Sequence, residues 1–135
     1  MIKVLFLDLY GVVYPQRIEE TKILVKSLRD FNIAVFAVTN LAPSQGTDIC
    51  RLVGIEHLYS SQALDMSKTQ PEFYQYIVKD SDLFGAEITL VDDTCSNLFA
   101  ARQAGLKTIY FGADICPSAD FTIKSLNELV DLVRG

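Results

Sequence analysis

Strand-like apolar runs alternate with helix-like segments along the whole chain of 135 residues. Strands joined by helices are parallel, and their crossovers are right-handed, so this alternation predicts one parallel sheet with helices on both faces. We therefore expect an α/β fold with three layers, of the Rossmann-like type. An apolar fraction of 50% is ample for a packed core, and the length suits about one domain. A single domain is predicted over residues 1–135.

Five segments are predicted to be strands. The first, residues 4–7, is a continuous apolar run typical of a strand buried on both faces, and it ends at Asp8. The other four predicted strands are residues 33–38, 57–60, 88–91 and 108–111, the last being the final strand of the sheet.

Five segments show helical spacing of apolar residues or helix-end signals. They are residues 17–31, 43–53, 71–79 and 94–104, followed by a helix that opens with a capping box of Ser125 and Glu128. Gly54 and Gly105 stand where the second and fourth of these helices are expected to stop.

Composition excludes several classes of protein. The three cysteines, Cys50, Cys95 and Cys116, form no CxxC pair and are odd in number, which predicts neither a disulfide framework nor a zinc cluster. The net charge of −5, without a basic run, argues against a nucleic-acid partner. The apolar runs are far shorter than the roughly 20 residues that span a bilayer. No secretory signal is recognisable, so we expect no membrane association and a cytoplasmic location.

Polar residues follow three of the predicted strands directly. Asp8, Thr39 and the pair Asp92-Asp93 each stand at the carboxyl end of an apolar run. In an open parallel sheet, ligands bind outside the carboxyl ends of the strands, where loops and helix N-termini converge. We therefore expect these side chains to meet in one crevice.

These residue types suit phosphoryl transfer, in which positioning and charge neutralisation supply most of the rate. Asp8 would attack phosphorus and form an aspartyl-phosphate. Mg²⁺, a cation that prefers oxygen ligands, would mask the repulsion between attacker and phosphate, with Asp92 and Asp93 completing its coordination. Thr39 and Lys68 would bind the non-bridging phosphate oxygens.

Four segments resemble, in the right order, the motifs of the haloacid dehalogenase-like hydrolase superfamily. They are LFLDLYGVV, VFAVTN, SKTQPEFY and ITLVDDTCSNLFAARQAGLKTIYF, and the resemblance covers nearly the whole chain. It implies a strand order of 3-2-1-4-5. It further implies that Asp8 and Lys68 are catalytic, and that Asp8, the Tyr10 carbonyl, Asp92 and Asp93 hold the metal. Thr39, Asn40 and Lys68 would hold the phosphate.

The chain departs from the family pattern in two ways. Family phosphatases usually carry a second aspartate two residues after the nucleophile, as general acid and base, and Tyr10 stands there instead. Because a phenol is a poor acid at neutral pH, Tyr10 is interpreted as a wall of the site or a packing residue rather than a general acid. The intervals between Asp8, Thr39 and Lys68 are each about one crossover long, which leaves no room for a cap domain. Capless relatives act on bulky substrates or close their site by oligomerising.

Three functions remain open on the sequence. The first is a Mg²⁺-dependent phosphatase or phosphotransferase acting on a phosphorylated small molecule or a bulky phosphosubstrate, alone or as a homo-oligomer. The second is a catalytically impaired module that binds phosphate or a partner protein. A 2-haloacid dehalogenase ranks lower, because that branch carries hydroxyl residues in place of Asp92-Asp93 and depends on a cap. A phosphoacceptor receiver domain is set aside, since its acidic pair precedes the acceptor aspartate.

Overall fold

The structure is a computed structural model, and it describes residues 2–134. Within that range it contains six strands, six α-helices and one 3₁₀ turn at Gly85–Glu87. In chain order the elements are β1 (Val4–Asp8), α1 (Ile18–Asp30), β2 (Ala34–Thr39), α2 (Pro43–Val53), β3 (His57–Ser60), α3 (Ser61–Leu64), α4 (Pro71–Ser81), β4 (Ile88–Asp92), α5 (Cys95–Gln103), β5 (Lys107–Phe111), β6 (Phe121–Ile123) and α6 (Asn127–Arg134).

The strands form one sheet in the order β3-β2-β1-β4-β5-β6, and every neighbouring pair is parallel. The predicted order of the first five strands is confirmed. The prediction that residues 108–111 form the final strand was wrong, because β6 pairs beyond β5 at the edge of the sheet. With only three residues, two of them exposed, β6 has no apolar run that a sequence pattern could reveal.

Alternate residues of β1 pack against different helices, which gives the predicted three layers. Leu5 and Leu7 belong to a cluster with buried residues of α1, α2 and α6. Val4 and Phe6 belong to a second cluster with buried residues of α4 and α5. All five residues of β1 are buried, as expected for the central strand of a sheet covered on both faces.

The predicted helices are all present, with ends shifted by up to two residues. The bounds of α2 are those predicted, because Pro43 opens the helix and Gly54 follows it with a φ of 85°. The single turn α3 was not predicted; it begins after Ser60, whose hydroxyl oxygen accepts a hydrogen bond from the Ala63 N–H. In the part of the chain that the structure describes, no helix has the length and apolar character needed to cross a bilayer.

The cysteine prediction needs one correction. Cys95 and Cys116 form a disulfide across 21 residues of chain, whereas the buried Cys50 is free. Cys95 opens α5, and Cys116 lies in the loop after β5. Because β4 and β5 are neighbours, the segments that follow them emerge at the same edge of the sheet, and an odd count does not prevent one pair from forming.

Candidate active site

Three adjacent strands end at the same edge of the sheet, and each ends on a polar residue. Asp8 is the last residue of β1, Thr39 of β2 and Asp92 of β4, with β1 between the other two. Asp8 continues the alternation of Val4 and Phe6, so its side chain lies on the sheet face covered by α4 and α5. The site is therefore built around the end of the central strand.

Lys68 joins two of these strand ends. Its Nζ lies 2.6 Å from Asp8 Oδ1 and 3.0 Å from Asp92 Oδ2, and its side chain is 2% exposed. The loop that carries it is fixed by the buried Tyr74 of α4, whose hydroxyl donates to the Lys68 carbonyl oxygen over 2.7 Å. The spacing between Lys68 and Tyr74 in the third motif thus has a structural cause.

Asp92 is held by the start of α5. Its Oδ1 accepts the Thr94 N–H over 2.9 Å, and its Oδ2 accepts the Asn97 amide over 3.2 Å. Sequence reasoning assigned no role to Thr94 or Asn97. Their signal is present in the fourth motif, where one polar residue immediately precedes the helix that follows the acidic pair and another lies in its first turn.

The carboxylates of Asp8, Asp92 and Asp93 have ligand oxygens within 4.8 Å of one another. Against their three negative charges, Lys68 is the only cationic side chain within residues 2–134 that forms an ion pair with any of them. The cluster is left with an excess negative charge in a mostly buried place, which is costly unless a cation offsets it. Carboxylate oxygens are also the ligands that Mg²⁺ prefers, so these residues fit a divalent cation.

Ionisation of the cluster is perturbed in a consistent way. Burial and the Asp92 carboxylate raise the pKa of Asp8 well above its ordinary value, against the opposing effect of Lys68. Burial also raises the pKa of Asp92, again opposed by Lys68. Burial acts to lower the pKa of Lys68, but the two carboxylates outweigh it and the pKa is raised. The two carboxylates thus favour the ammonium form of Lys68, and further positive charge would favour the ionised form of the carboxyl groups.

The loop after β1 approaches Asp93 closely at Gly11. Gly11 has a φ of 95°, and a Cβ added there would lie 2.2 Å from Asp93 Oδ2. The Gly11 N–H donates to the Tyr14 carbonyl oxygen, and the Arg17 guanidinium donates to the Gly11 carbonyl oxygen. By contrast, the Tyr10 carbonyl oxygen accepts no hydrogen bond from residues 2–134. The loop thus leaves this predicted metal ligand without a protein partner.

A pocket of about 440 Å³ opens over these groups. It is lined by five of the predicted site residues: Asp8, Tyr10, Asn40, Lys68 and Asp93. Asp92 lies beneath, fully buried. Thr39 is also fully buried and does not line the pocket; its Oγ1 accepts the Leu41 N–H over 3.0 Å. The structure therefore gathers the predicted residues at one place, with Thr39 set back from the opening.

Asn40 and Tyr10 differ in how they are fixed. The Asn40 side-chain oxygen accepts a hydrogen bond from the Ser61 hydroxyl, which leaves its amide hydrogens for other partners. Tyr10 is 61% exposed, and its ring centre lies 6.4 Å from that of Tyr14.

Within residues 2–134, the crossovers between the strands consist of helices and short loops, and no cap is inserted over the pocket.

Two curated proteins of related sequence are phosphatases by name. A sesquiterpene phosphatase of Aspergillus oryzae is 30% identical over 88 residues, which are 62% of this chain and 44% of that protein. A D-ribitol-5-phosphate phosphatase of Bacteroides thetaiotaomicron is 34% identical over 53 residues, which are 39% of this chain and 26% of that protein. The chain thus spans less than half the length of the curated relatives it matches. No protein-family model matches it.

Solved structures share the fold at low sequence identity. An L-2-haloacid dehalogenase from Xanthobacter autotrophicus aligns with a TM-score of 0.78 at 13% identity, over 100% of this chain and 99% of that one. An uncharacterised protein from Corynebacterium glutamicum aligns with 0.77 at 18% identity, over 99% and 96%. The cobalt-bound deoxy-D-mannose-octulosonate 8-phosphate phosphatase from Haemophilus influenzae aligns with 0.72 at 16% identity, over 98% and 86%.

The fold, the four motifs and these relatives agree. The chain has the haloacid dehalogenase-like fold, with a core that carries no cap within residues 2–134. The resemblance drawn from the sequence is confirmed at this level.

Proposed function

We propose that the chain is a Mg²⁺-dependent phosphatase that works through an aspartyl-phosphate on Asp8. The observation that carries the proposal is the buried contact of Lys68 with both Asp8 and Asp92, beside Asp93 and beneath an open pocket. The names of the two curated relatives favour phosphate monoesters over other substrates.

Asp8 is the attacking group in this account. One of its oxygens forms a bond to phosphorus while the bond from phosphorus to the leaving oxygen breaks, and water later hydrolyses the resulting acyl phosphate. Lys68 holds Asp8 at the end of β1 and offsets negative charge that develops on the phosphoryl oxygens. Asn40 donates its free amide hydrogens to the phosphate, and Thr39 supports the loop that carries Asn40.

Asp8, Asp93 and the Tyr10 carbonyl oxygen would hold Mg²⁺, with Asp92 assisting. When bound, the ion supplies positive charge that offsets the repulsion between the Asp8 carboxylate and the incoming phosphate. The excess negative charge of the three carboxylates over Lys68 supports this assignment.

Tyr10 affects which leaving groups the proposed reaction can expel. Because the position two residues after Asp8 carries no carboxyl group, the leaving oxygen departs without a proton from this position, and water is not activated there. Turnover is then expected to be fast for leaving groups that are stable as anions, such as phenols, and slow for aliphatic alcohols. Hydrolysis of the aspartyl-phosphate is expected to be slow as well.

The first prediction concerns Tyr10→Asp. The variant should hydrolyse aliphatic phosphates about 100-fold faster or more than the unmodified chain, because general acid–base groups contribute that much or more. The gain on 4-nitrophenyl phosphate should be smaller, since nitrophenolate leaves without help. The measurement is kcat for both substrates with Mg²⁺, and Tyr14→Asp places the same carboxylate on a neighbouring exposed tyrosine as the control.

Two other functions compete with this one. The missing carboxyl group and the exposed Tyr10 favour a module that binds phosphate or a partner protein without turnover. If Tyr10→Asp leaves the chain inactive on both substrates, this second function is preferred. A 2-haloacid dehalogenase stays the lower alternative: the dehalogenase neighbours share the fold, but the acidic cluster suits a cation and a phosphate.

The proposal also covers the substrate, the oligomeric state and the location of the chain. We propose that the chain acts on a phosphorylated small molecule or a bulky phosphosubstrate. We propose neither a nucleic-acid partner nor a membrane partner. Formation of a homo-oligomer would shield the uncapped pocket. A cytoplasmic location stays a prediction, and the Cys95–Cys116 disulfide weighs against it because disulfides are rare in reducing compartments.

A further inference from the structure

An apolar groove of about 400 Å³ lies beside the reaction pocket. One wall is the pair Tyr10 and Tyr14 from the loop after β1, and the other is Ile49 and Leu52 on one face of α2, with Leu41 at the base. Tyr10, Tyr14 and Leu52 are 61%, 40% and 57% exposed, so the groove presents large apolar side chains to solvent. Groups of this kind gain most from being covered by an apolar ligand.

The groove adjoins the reaction pocket, because Tyr10 and Leu41 line both. When the phosphate of a substrate lies against Asp8 and Lys68, the groove is therefore next to its leaving group. We propose that the groove binds the leaving group of the substrate, and that this group is an apolar hydroxyl compound, an alcohol or a phenol, with a chain or ring long enough to reach Leu52. The proposal rests on the proposed function, whose substrate class it specifies.

The charges around the groove support an apolar occupant. Its polar side chains are Gln45, Asp48 and the two tyrosine hydroxyls, and no lysine or arginine lines it. Asp48 has Arg51 at 3.9 Å, but both are largely exposed, and a pair of that kind holds little binding energy. A second phosphate, as in a nucleotide or a diphosphate, would meet the Asp48 carboxylate, and no cationic side chain lines the groove to bind it.

The position of Tyr10 gives it a binding role. It stands two residues after the nucleophile, where it forms the boundary between the phosphate and the groove. Its aromatic ring supplies apolar contact area to the leaving group at low cost in side-chain entropy.

The test is a series of n-alkylphosphonates of four, six and eight carbons, titrated with Mg²⁺ into the full chain and followed by calorimetry. These ligands carry the phosphate-like head but are not hydrolysed, so the result does not depend on turnover. The groove predicts that Kd falls by about twofold or more per added methylene, since a fully buried methylene is worth up to about fourfold. Leu52→Asp should remove this dependence on chain length, and Ile23→Asp, at an exposed apolar residue of α1 outside the groove, should retain it.

Beryllofluoride with Mg²⁺ separates the two proposals, because it occupies the phosphate position and does not reach the groove. If beryllofluoride stabilises the chain but Kd is the same for all three phosphonates, the groove proposal is overturned and the proposed function stands. The groove proposal is also overturned if Leu52→Asp keeps the dependence on chain length. If beryllofluoride with Mg²⁺ has no effect on the chain, the proposed function fails, and the groove proposal fails with it.

Discussion

At the scale of single residues, the site depends on one buried ammonium among three carboxylates. Lys68 contacts Asp8 and Asp92 at hydrogen-bond distance, while Asp93 faces the loop at Gly11. Because one ammonium offsets only part of the negative charge of three carboxylates, the arrangement suits a bound cation. Its ionisation therefore links the stability of the protein to its function.

Asp8→Asn tests this link without any ligand. Because the pKa of Asp8 is raised in the folded protein, its carboxyl group contributes stability at and below about pH 4 that is lost as the pH rises. Asparagine does not ionise, so the variant does not lose this stability as the pH rises. Without Mg²⁺ at pH 7, the variant should have a higher free energy of unfolding than the unmodified chain, and the difference should shrink towards pH 4.

Urea unfolding at a series of pH values provides the measurement, with the exposed Asp114→Asn as the matched control. A variant at Asp8 that is less stable than the unmodified chain at neutral pH would show that the carboxylate is fully compensated by Lys68.

Gly11→Ala and Gly105→Ala form a second residue-scale test. Their φ angles are 95° and 92°, so both variants bear similar backbone strain, worth about 1–2 kcal/mol. Only at Gly11 would the added Cβ meet Asp93 Oδ2, at 2.2 Å, whereas nothing lies within 4 Å of it at Gly105. Calorimetric titration should show Mg²⁺ bound about tenfold or more weakly by Gly11→Ala and unchanged for Gly105→Ala. Equal affinities in the two variants would remove Asp93 from the metal site.

The residues that would do the chemistry could be predicted from the sequence more completely than the residues that hold them in place. Asp8, Asp92 and Asp93 were found because parallel strands bring their carboxyl ends to one edge, and Lys68 because of the motif around it. Asn97 and Gly11 were not, since their roles depend on which atoms approach within hydrogen-bond or van der Waals distance. Thr39 was placed at the correct strand end, but its burial depends on the side of β2 to which it points.

At the scale of elements, α5 connects the acidic cluster to the edge of the sheet. Its first turn holds Asp92 through Thr94 and Asn97, and its first residue, Cys95, is bonded to Cys116 in the loop between β5 and β6. The disulfide thus restrains the start of the helix that carries these contacts.

Reduction of this disulfide should destabilise the protein. The chain-entropy account gives about 3 kcal/mol for a closed loop with a separation of 21 residues. Cys116→Ser should therefore unfold at lower temperature than the oxidised chain, and added dithiothreitol should lower the unmodified chain to a similar midpoint without changing the variant. Differential scanning calorimetry with and without reductant provides the measurement. Identical midpoints for the unmodified chain under both conditions would contradict the prediction.

Element prediction succeeded where local signals were strong. The bounds of α2 follow from Pro43 and Gly54, and the bounds of β3 were also those predicted. The prediction missed α3 and β6 because a four-residue turn and a three-residue edge strand carry too few apolar positions to show a period. The disulfide was missed because pairing is decided by the convergence of loops after β4 and β5, which sequence spacing does not encode.

At the scale of the whole molecule, the sheet brings groups from three separate crossovers to one open pocket. No element within residues 2–134 covers that pocket, so the exclusion of water must come from the substrate, from the apolar groove or from another copy of the chain. The fold itself is shared by dehalogenases and phosphatases, and it does not select between them. That choice rests on the acidic cluster and on the phosphatase relatives.

Binding of beryllofluoride with Mg²⁺ tests the central claim most directly, since this ligand mimics a phosphoryl group on an aspartate and needs no turnover. For the unmodified chain, the free energy of unfolding should rise by about 2.7 kcal/mol at a ligand concentration a hundredfold above Kd. The rise should require both components and should be absent in Asp8→Asn. A chain whose stability is indifferent to Mg²⁺ and beryllofluoride together, or an Asp8→Asn variant that responds as strongly as the unmodified chain, would contradict the account.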